Sequence, residues 1–240
     1  VIQELDAGIG QVLAKLKASG LDSNTLVLFT SDNGPWYGGS TGGLRGMKSR
    51  NWEGGTRVPL IARWPGHIPA GHVSQEPAIM MDLFATAIRA AGLRLPAARQ
   101  LDGKDILPLL TSKAPSPHQA LFSFRGDRLC GVRKGKWKFY LTRPGPVKER
   151  HWRASEEWID PRRPDGVRII APYEQAHPSQ FPGLLDGDPV NDVGLFDLQA
   201  DPGEQHNLVD RYPEVVQEMR RLGVAMQKEI ETARRTRQKN

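Results

Sequence analysis

The 240-residue sequence holds a single cysteine, Cys130, which excludes an internal disulfide and any multi-cysteine metal centre, though not a disulfide to another chain. No apolar run approaches the roughly 20 residues that span a bilayer, so no membrane helix is encoded. Asn-X-Ser/Thr is absent, a weak argument against a glycosylated eukaryotic secretory protein. Neither an internal repeat nor a low-complexity tract occurs. The formal charge of +6 could suggest a nucleic-acid partner, but much of the excess sits in the terminal run ARRTRQKN, which reads as a solvated tail.

What is present describes a globular chain. With 38% hydrophobic and 25% charged residues, its length suits one large domain or two modest ones. VIQELDAGIGQVLAKLKASG places Ile2, Leu5, Ile9, Val12, Leu13 and Leu16 on one helical face, with Gly20 as a stop. Val1 has no Met, signal segment or cap before it, so an upstream part is expected. Leu26 to Phe29 are consecutively apolar, VPLIARW from Val58 offers a second such segment, and both are expected to be buried strands of a parallel sheet. MMDLFATAIRAAG supplies a helix from about Met80 that ends at Gly92.

The pattern changes after LDGKDILPLL and KAPSPH, near residue 113. ALFSFR, LCGVRK and KWKFYLT read as short strands, the last two joined by a turn at Lys134-Gly135. Residues 143–194 are rich in Pro, Gly and charge, and read as a long irregular insertion. GLFDLQ resumes strand character, DPGEQHNL is turn-like, and a last helix carries Val215, Val216, Met219, Leu222, Met226, Ile230 and Ala233 at helical spacing. That stripe is expected to dock on the small sheet. The expectation is an α/β domain over residues 1–112 and a smaller α+β subdomain, an antiparallel sheet packed with a helix, over 113–240.

In open α/β sheets, ligands gather at the carboxyl ends of strands. The run LVLFTSDNGPWY ends its apolar part at Asp32, Asn33 and Gly34, where a carboxylate and an amide carbonyl offer hard oxygen donors suited to Ca²⁺ or Mg²⁺. Alone, those three residues favour a simple turn. The next segment, PWYGGSTGGLRGMKSRNWEGGTRVP, has seven glycines and holds Arg45, Lys48, Arg50, Glu53 and Arg57. Glycine lets backbone approach a ligand and cations neutralise an oxyanion, so an anion site is expected. A phosphate-cradling P-loop is excluded, because Met47 stands where the motif needs glycine before Lys48.

TSDNGP, GLRGMKSRNWEGGTRVPLIARWPGHIPAG, LDGKDILPLL, VRKGKWKFY and LFDLQADPGEQHNL, in this order, resemble the C-terminal half of a type I sulfatase of the arylsulfatase A-like family. The resemblance implies an alkaline phosphatase-like fold and hydrolysis of a sulfate ester. It implies that Asp32 and Asn33 bind an active-site calcium and that Lys48, in the G-x-K-x-x-x-x-E-G-G pattern, contacts sulfate as a catalytic and substrate-binding residue. Glu53, Gly54, Gly55 and Arg57 match as supports for the loop, and Trp36 and Tyr37 are candidates for the substrate mouth. The family's formylglycine nucleophile arises in a Cys/Ser-X-Pro-X-Arg motif, which this sequence lacks. It is therefore expected upstream, and the chain alone is expected to be inactive. Cys130, in CGVRK, reads as a buried strand residue, and His67 matches no catalytic position. Aryl sulfates, sulfated glycans and sulfolipids remain open as substrates. An exported location follows from the resemblance only. The alternatives are a phosphatase or phosphodiesterase of the alkaline phosphatase group, whose zinc sites favour histidine over Asn33, and a catalytically inactive binding fragment.

Overall fold

The computed structural model describes residues 2–35, 40–96, 100–145 and 187–237. Trp36 and Tyr37, and most of the expected insertion at 143–194, lie outside the described residues. The chain divides into two compact units, one built from residues 1–32 and 59–119, the other from 33–58 and 120–240.

In the first unit, α1 (Ile2–Ala18) ends where the sequence places its stop. Gly20 adopts φ +70°, and the Leu21 N–H reaches the Leu16 carbonyl at 3.0 Å, a Schellman closure that β-carbon-bearing residues disfavour. The apolar stripe of α1 is not buried, however: Ile2 is 82% accessible, and Ile9, Leu13 and Leu16 are only partly covered. Strand β1 (Val27–Thr30) pairs with β2 (Leu60–Arg63). Contrary to the sequence expectation, the pair is antiparallel, with Val27 opposite Arg63 and Thr30 opposite Leu60, and neither strand is fully buried. An apolar run reports how a strand's faces pack, and carries no information on the direction of its neighbour.

The helix expected from about Met80 is α3 (Asp82–Ala90), numbered after the short α2 (Glu53–Thr56) of the second unit. Gly92 follows it at φ +75°. Asp82 is fully buried and accepts the N–H groups of Ile79 (2.8 Å) and Lys104 (2.7 Å), and lies 2.8 Å from His118 Nε2. One carboxylate thus ties the start of α3 to the segment that leads into α4 (Leu107–Thr111).

The second unit is organised by an antiparallel sheet in the order β3 (Leu121–Arg125), β4 (Arg128–Lys134), β5 (Trp137–Tyr140) and β6 (Gly194–Asp197). Gly135, at φ +54°, turns β4 into β5 as expected. Alternation along β5 and β6 divides the side chains between two faces. Phe139 and Leu195 join Val132 and Met219 on one face, packed by Val215, Val216 and Leu222 of α5 (Pro213–Arg237), so the helix docks on the sheet as its stripe predicts.

Tyr140 and Phe196 face the other way, against Trp52, Val190 and Leu198. Cys130 joins them, although Val132, two residues on, faces α5. A register shift explains this: Ser123 pairs with Gly131 but Phe124 with Leu129, leaving Cys130 as the extra residue of a β-bulge. Trp52, Tyr140 and Phe196 form a triangle of edge-on rings with centroids 5.0 to 5.9 Å apart. Burying each such ring contributes about 1.5–3 kcal/mol. The sheet therefore has two packed faces, and the second, away from α5, receives the glycine-rich segment 40–57.

No helix among the described residues is long and apolar enough to cross a membrane.

Candidate functional site

Beyond β1 the chain exposes Asp32, half-buries Asn33 and buries Gly34. Within the second unit, two backbone hydrogen bonds stitch the residues after Asn33 to the glycine-rich loop. The Gly34 N–H donates to the Gly55 carbonyl at 3.0 Å, and the Lys48 N–H donates to the Pro35 carbonyl at 2.9 Å. The fit requires glycine: a β-carbon on Gly34 would lie 1.8 Å from the Gly54 oxygen, and one on Gly55 would lie 2.2 Å from the Arg50 oxygen. The two adjacent glycines of Glu53-Gly54-Gly55 thus let the start of α2 pack directly against backbone.

Lys48 occupies a tight turn closed by the Arg50 N–H on the Met47 carbonyl at 3.0 Å, with Ser49 in the left-handed region at φ +69°. Its side chain is exposed, while its neighbours Met47 and Trp52 are buried to 1% and 4% accessibility and anchor the turn. An ammonium held out by a rigid turn over an apolar anchor can meet an anion without first disrupting the loop. Arg45, another cation of the segment, serves a different purpose. Its guanidinium lies 3.8 Å from the Trp52 ring centroid and donates to the carbonyls of Asp188 and Glu204, each at 3.0 Å. It is a buried staple.

Behind the turn lies a buried charged cluster that the sequence reading did not identify. Lys138 Nζ sits 2.6 Å from Glu53 Oε1 and 3.5 Å from Glu204 Oε1, and all three side chains are almost fully buried. Burial pushes the Glu53 carboxyl up, but the Lys138 charge and hydrogen bond, helped by Arg133 and Arg57, outweigh it and hold the group below the usual carboxylate range. For Glu204 the balance reverses: burial, reinforced by the Glu53 charge, outweighs Lys138 and the group is pushed up. Burial likewise raises the Tyr140 phenol well above its ordinary value, with the Glu204 charge adding to the effect.

Tyr140 Oη lies 2.9 Å from the Asn51 carbonyl oxygen and 2.5 Å from Glu204 Oε1, yet a phenol has one proton. The single phenol proton is therefore shared between two acceptors, the Asn51 carbonyl and the Glu204 carboxyl. The signal for this cluster lay in KWKFY: alternation puts Lys138 on the same inward face as Tyr140, where a lone cation needs an acid.

Among the described residues, no group of three or more His, Cys, Asp and Glu side chains is placed to hold a metal. At the strand tip, Asp32 and Asn33 carry carboxylate and amide oxygens, donors of the type calcium accepts. Asp32 is accessible, and the two residues are peptide neighbours, so the donor chemistry fits a hard divalent cation as a partial shell. Cys130 is buried to 0% accessibility, as expected, and the His67 ring stacks on Trp64 at 4.0 Å.

Comparison with known proteins gives a consistent picture. The family model described as Sulfatase matches residues 1–93. N-acetylgalactosamine-6-sulfatase of Mus musculus is 34% identical over 213 residues, covering 86% of this chain and 38% of the relative. Arylsulfatase A of Bos taurus is 37% identical over 227 residues, covering 90% and 40%. Steryl-sulfatase of Mus musculus is 44% identical over 157 residues, covering 59% and 25%. Among solved structures, a sulfatase from Pseudoalteromonas sp. superposes with a TM-score of 0.68 at 26% identity, covering 95% of this chain and 42% of that one. The chain thus spans about two fifths or less of the length of these relatives.

Proposed function

This chain carries a sulfatase-family domain in the alkaline phosphatase-like fold, and from that premise we propose that it contributes cation- and sulfate-binding residues to the hydrolysis of a sulfate ester. Lys48 is the sulfate contact, and Asp32 and Asn33 are calcium ligands. Bound there, calcium would stabilise negative charge on the ester's non-bridging oxygens. The observation that carries the reading is the hydrogen bond from Lys48 N–H to the Pro35 carbonyl, which ties the proposed ammonium to the segment that begins with a proposed ligand, Asn33.

The Lys48 ammonium orients the sulfate and offsets charge that grows on its oxygens as the ester bond breaks. Its exposed position on a turn with a buried underside suits that task, because little reorganisation accompanies contact. The formylglycine nucleophile belongs outside this sequence, so the 240-residue chain alone is inactive; sulfate-ester turnover by the purified chain would overturn this. The sulfate ester acted on is an aryl sulfate, a sulfated glycan or a sulfolipid, and the location is outside the cytoplasm, as the family resemblance implies.

The test is Lys48→Ala in the full-length protein. Loss of one such charge-stabilising donor costs about 2.7–4 kcal/mol of barrier, or about 10²–10³ in turnover. Because Lys48 is exposed, thermal stability should change little. Near-parental turnover would refute the role.

A further inference from the structure

We propose that Glu204 is a positioning residue for the Lys48 turn, clasping both of its ends: the Glu204 backbone carbonyl holds Arg45 and the Glu204 carboxyl holds the N–H of Glu53. The proposal rests on the assignment of Lys48 as the sulfate contact.

The geometry is specific to one residue. Glu204 is fully buried, and its carbonyl accepts Arg45 Nη1 at 3.0 Å while its Oε2 accepts the Glu53 N–H at 2.6 Å. Lys48 lies between those two gripped positions. Glu204 itself adopts φ +53°, a left-handed conformation that a residue with a β-carbon keeps only where its surroundings over-determine it. Those surroundings belong to the sheet. The Glu204 N–H donates to the Asp201 carbonyl at 3.1 Å, the Asp201 N–H donates to Asp197 at the end of β6 at 2.7 Å, and the side chain meets Tyr140 and Lys138 of β5. The left-handed turn is what allows one residue to direct its carbonyl and its carboxyl at two parts of the same loop.

The clasp matters because the loop between Arg45 and Glu53 has little regular structure of its own, and two glycines flank its tightest contacts. Fixed at both ends to a four-stranded sheet, the turn presents Lys48 at a set position. Released at the Glu53 end, it keeps Arg45 and the Pro35 contact but loses its registration with the sheet. The step affected is binding and alignment of the sulfate, since Glu204 is buried and acts through the loop.

A double-mutant cycle in the full-length protein tests this, reading turnover of 4-nitrophenyl sulfate and inhibition by inorganic sulfate. Glu204→Ala should raise KM and the inhibition constant of inorganic sulfate by about tenfold, since misplacing a positioning group by about 1 Å costs up to about 10²-fold. Glu204→Gln, which retains an acceptor for the Glu53 N–H and whose amide can donate to the Tyr140 oxygen while the phenol donates to the Asn51 carbonyl, should restore both to within about threefold. In a Lys48→Ala background, Glu204→Ala should change the inhibition constant by less than about twofold, because the coupled partner is gone. If Glu204→Ala does not fold, Glu204→Asp, too short to reach Glu53, carries the same cycle.

Equal losses from the Glu204 substitution with and without Lys48 would overturn the clasp while leaving Lys48 as the sulfate contact. Glu204→Gln as impaired as Glu204→Ala would also overturn it. Unchanged sulfate inhibition in Lys48→Ala alone would instead overturn the assignment of Lys48, and the clasp with it.

Discussion

Replacing Lys138 with methionine removes the cation from a cluster in which it sits 2.6 Å from one buried acid and 3.5 Å from another. The methionine fills a similar volume, so the change is electrostatic rather than a cavity. Glu53, at 4% side-chain accessibility, then keeps Arg133, at 3.7 Å, with the Arg57 charge as further support. Breaking a buried pair on one side costs about 3–5 kcal/mol, and for a domain of 150–250 residues each kcal/mol lowers the melting temperature by about 2–4 °C. We therefore expect a loss of about 6–20 °C at pH 7.

The loss should depend on pH with a defined sign. In the parental protein the Glu53 pKa is depressed, so its contribution is present above the unfolded value of about 4.3 and is lost as pH falls through the lower folded value. Without Lys138, burial raises the same pKa, and protonation relieves the variant as pH falls from 7 toward 4. The deficit should shrink on acidification, as read by urea denaturation followed through tryptophan fluorescence. Glu53→Gln combined with Lys138→Met should recover most of the stability, because neither leaves a lone charge. A deficit below about 1 kcal/mol, within the range of exposed ion pairs, or one independent of pH, would refute the reasoning.

Three further outcomes follow from the same geometry. Gly55→Ala places a β-carbon 2.2 Å from the Arg50 oxygen and 2.4 Å from the Met47 oxygen, so it should cost about 1–3 kcal/mol or more by overpacking and weaken inorganic-sulfate inhibition, measured by denaturation and by kinetics. Asp82→Ala strips a fully buried acceptor from two backbone N–H groups and His118, and should destabilise by about 3 kcal/mol in a denaturation experiment, with the sulfate inhibition constant of the surviving enzyme unchanged. Arg63→Ala breaks the bidentate contact to Asp22, at 2.7 and 3.0 Å, but that pair is accessible; the change in melting temperature should be small and should vanish in high salt.

Much of the second unit was legible because its signals are local. The α5 stripe, the turn at Gly135 and the strand segments around Phe122, Val132, Phe139 and Phe196 follow from periods of 3.6 and 2. The bulge at Cys130 was not legible, since a single extra residue leaves no compositional mark. Neither was the antiparallel pairing of β1 with β2, because strand apolarity does not encode direction. Around the candidate site, the sequence drew attention to Asp32, Asn33, Lys48 and the Glu53-Gly54-Gly55 run. It gave no means of pairing Glu53 with Lys138, or Arg45 with Glu204, which are 85 and 159 residues apart. Arg45 and Lys48 looked alike as cations, and only burial separates the staple from the exposed ammonium.

The central claim is that the tip of β1 contributes oxygen ligands to a calcium ion in a sulfatase, and metal analysis of the purified full-length protein tests it most directly. Elemental analysis should find stoichiometric calcium in the parental protein and little in Asp32→Ala or Asn33→Ala. Zinc in place of calcium, or calcium undiminished in both variants, would contradict the account.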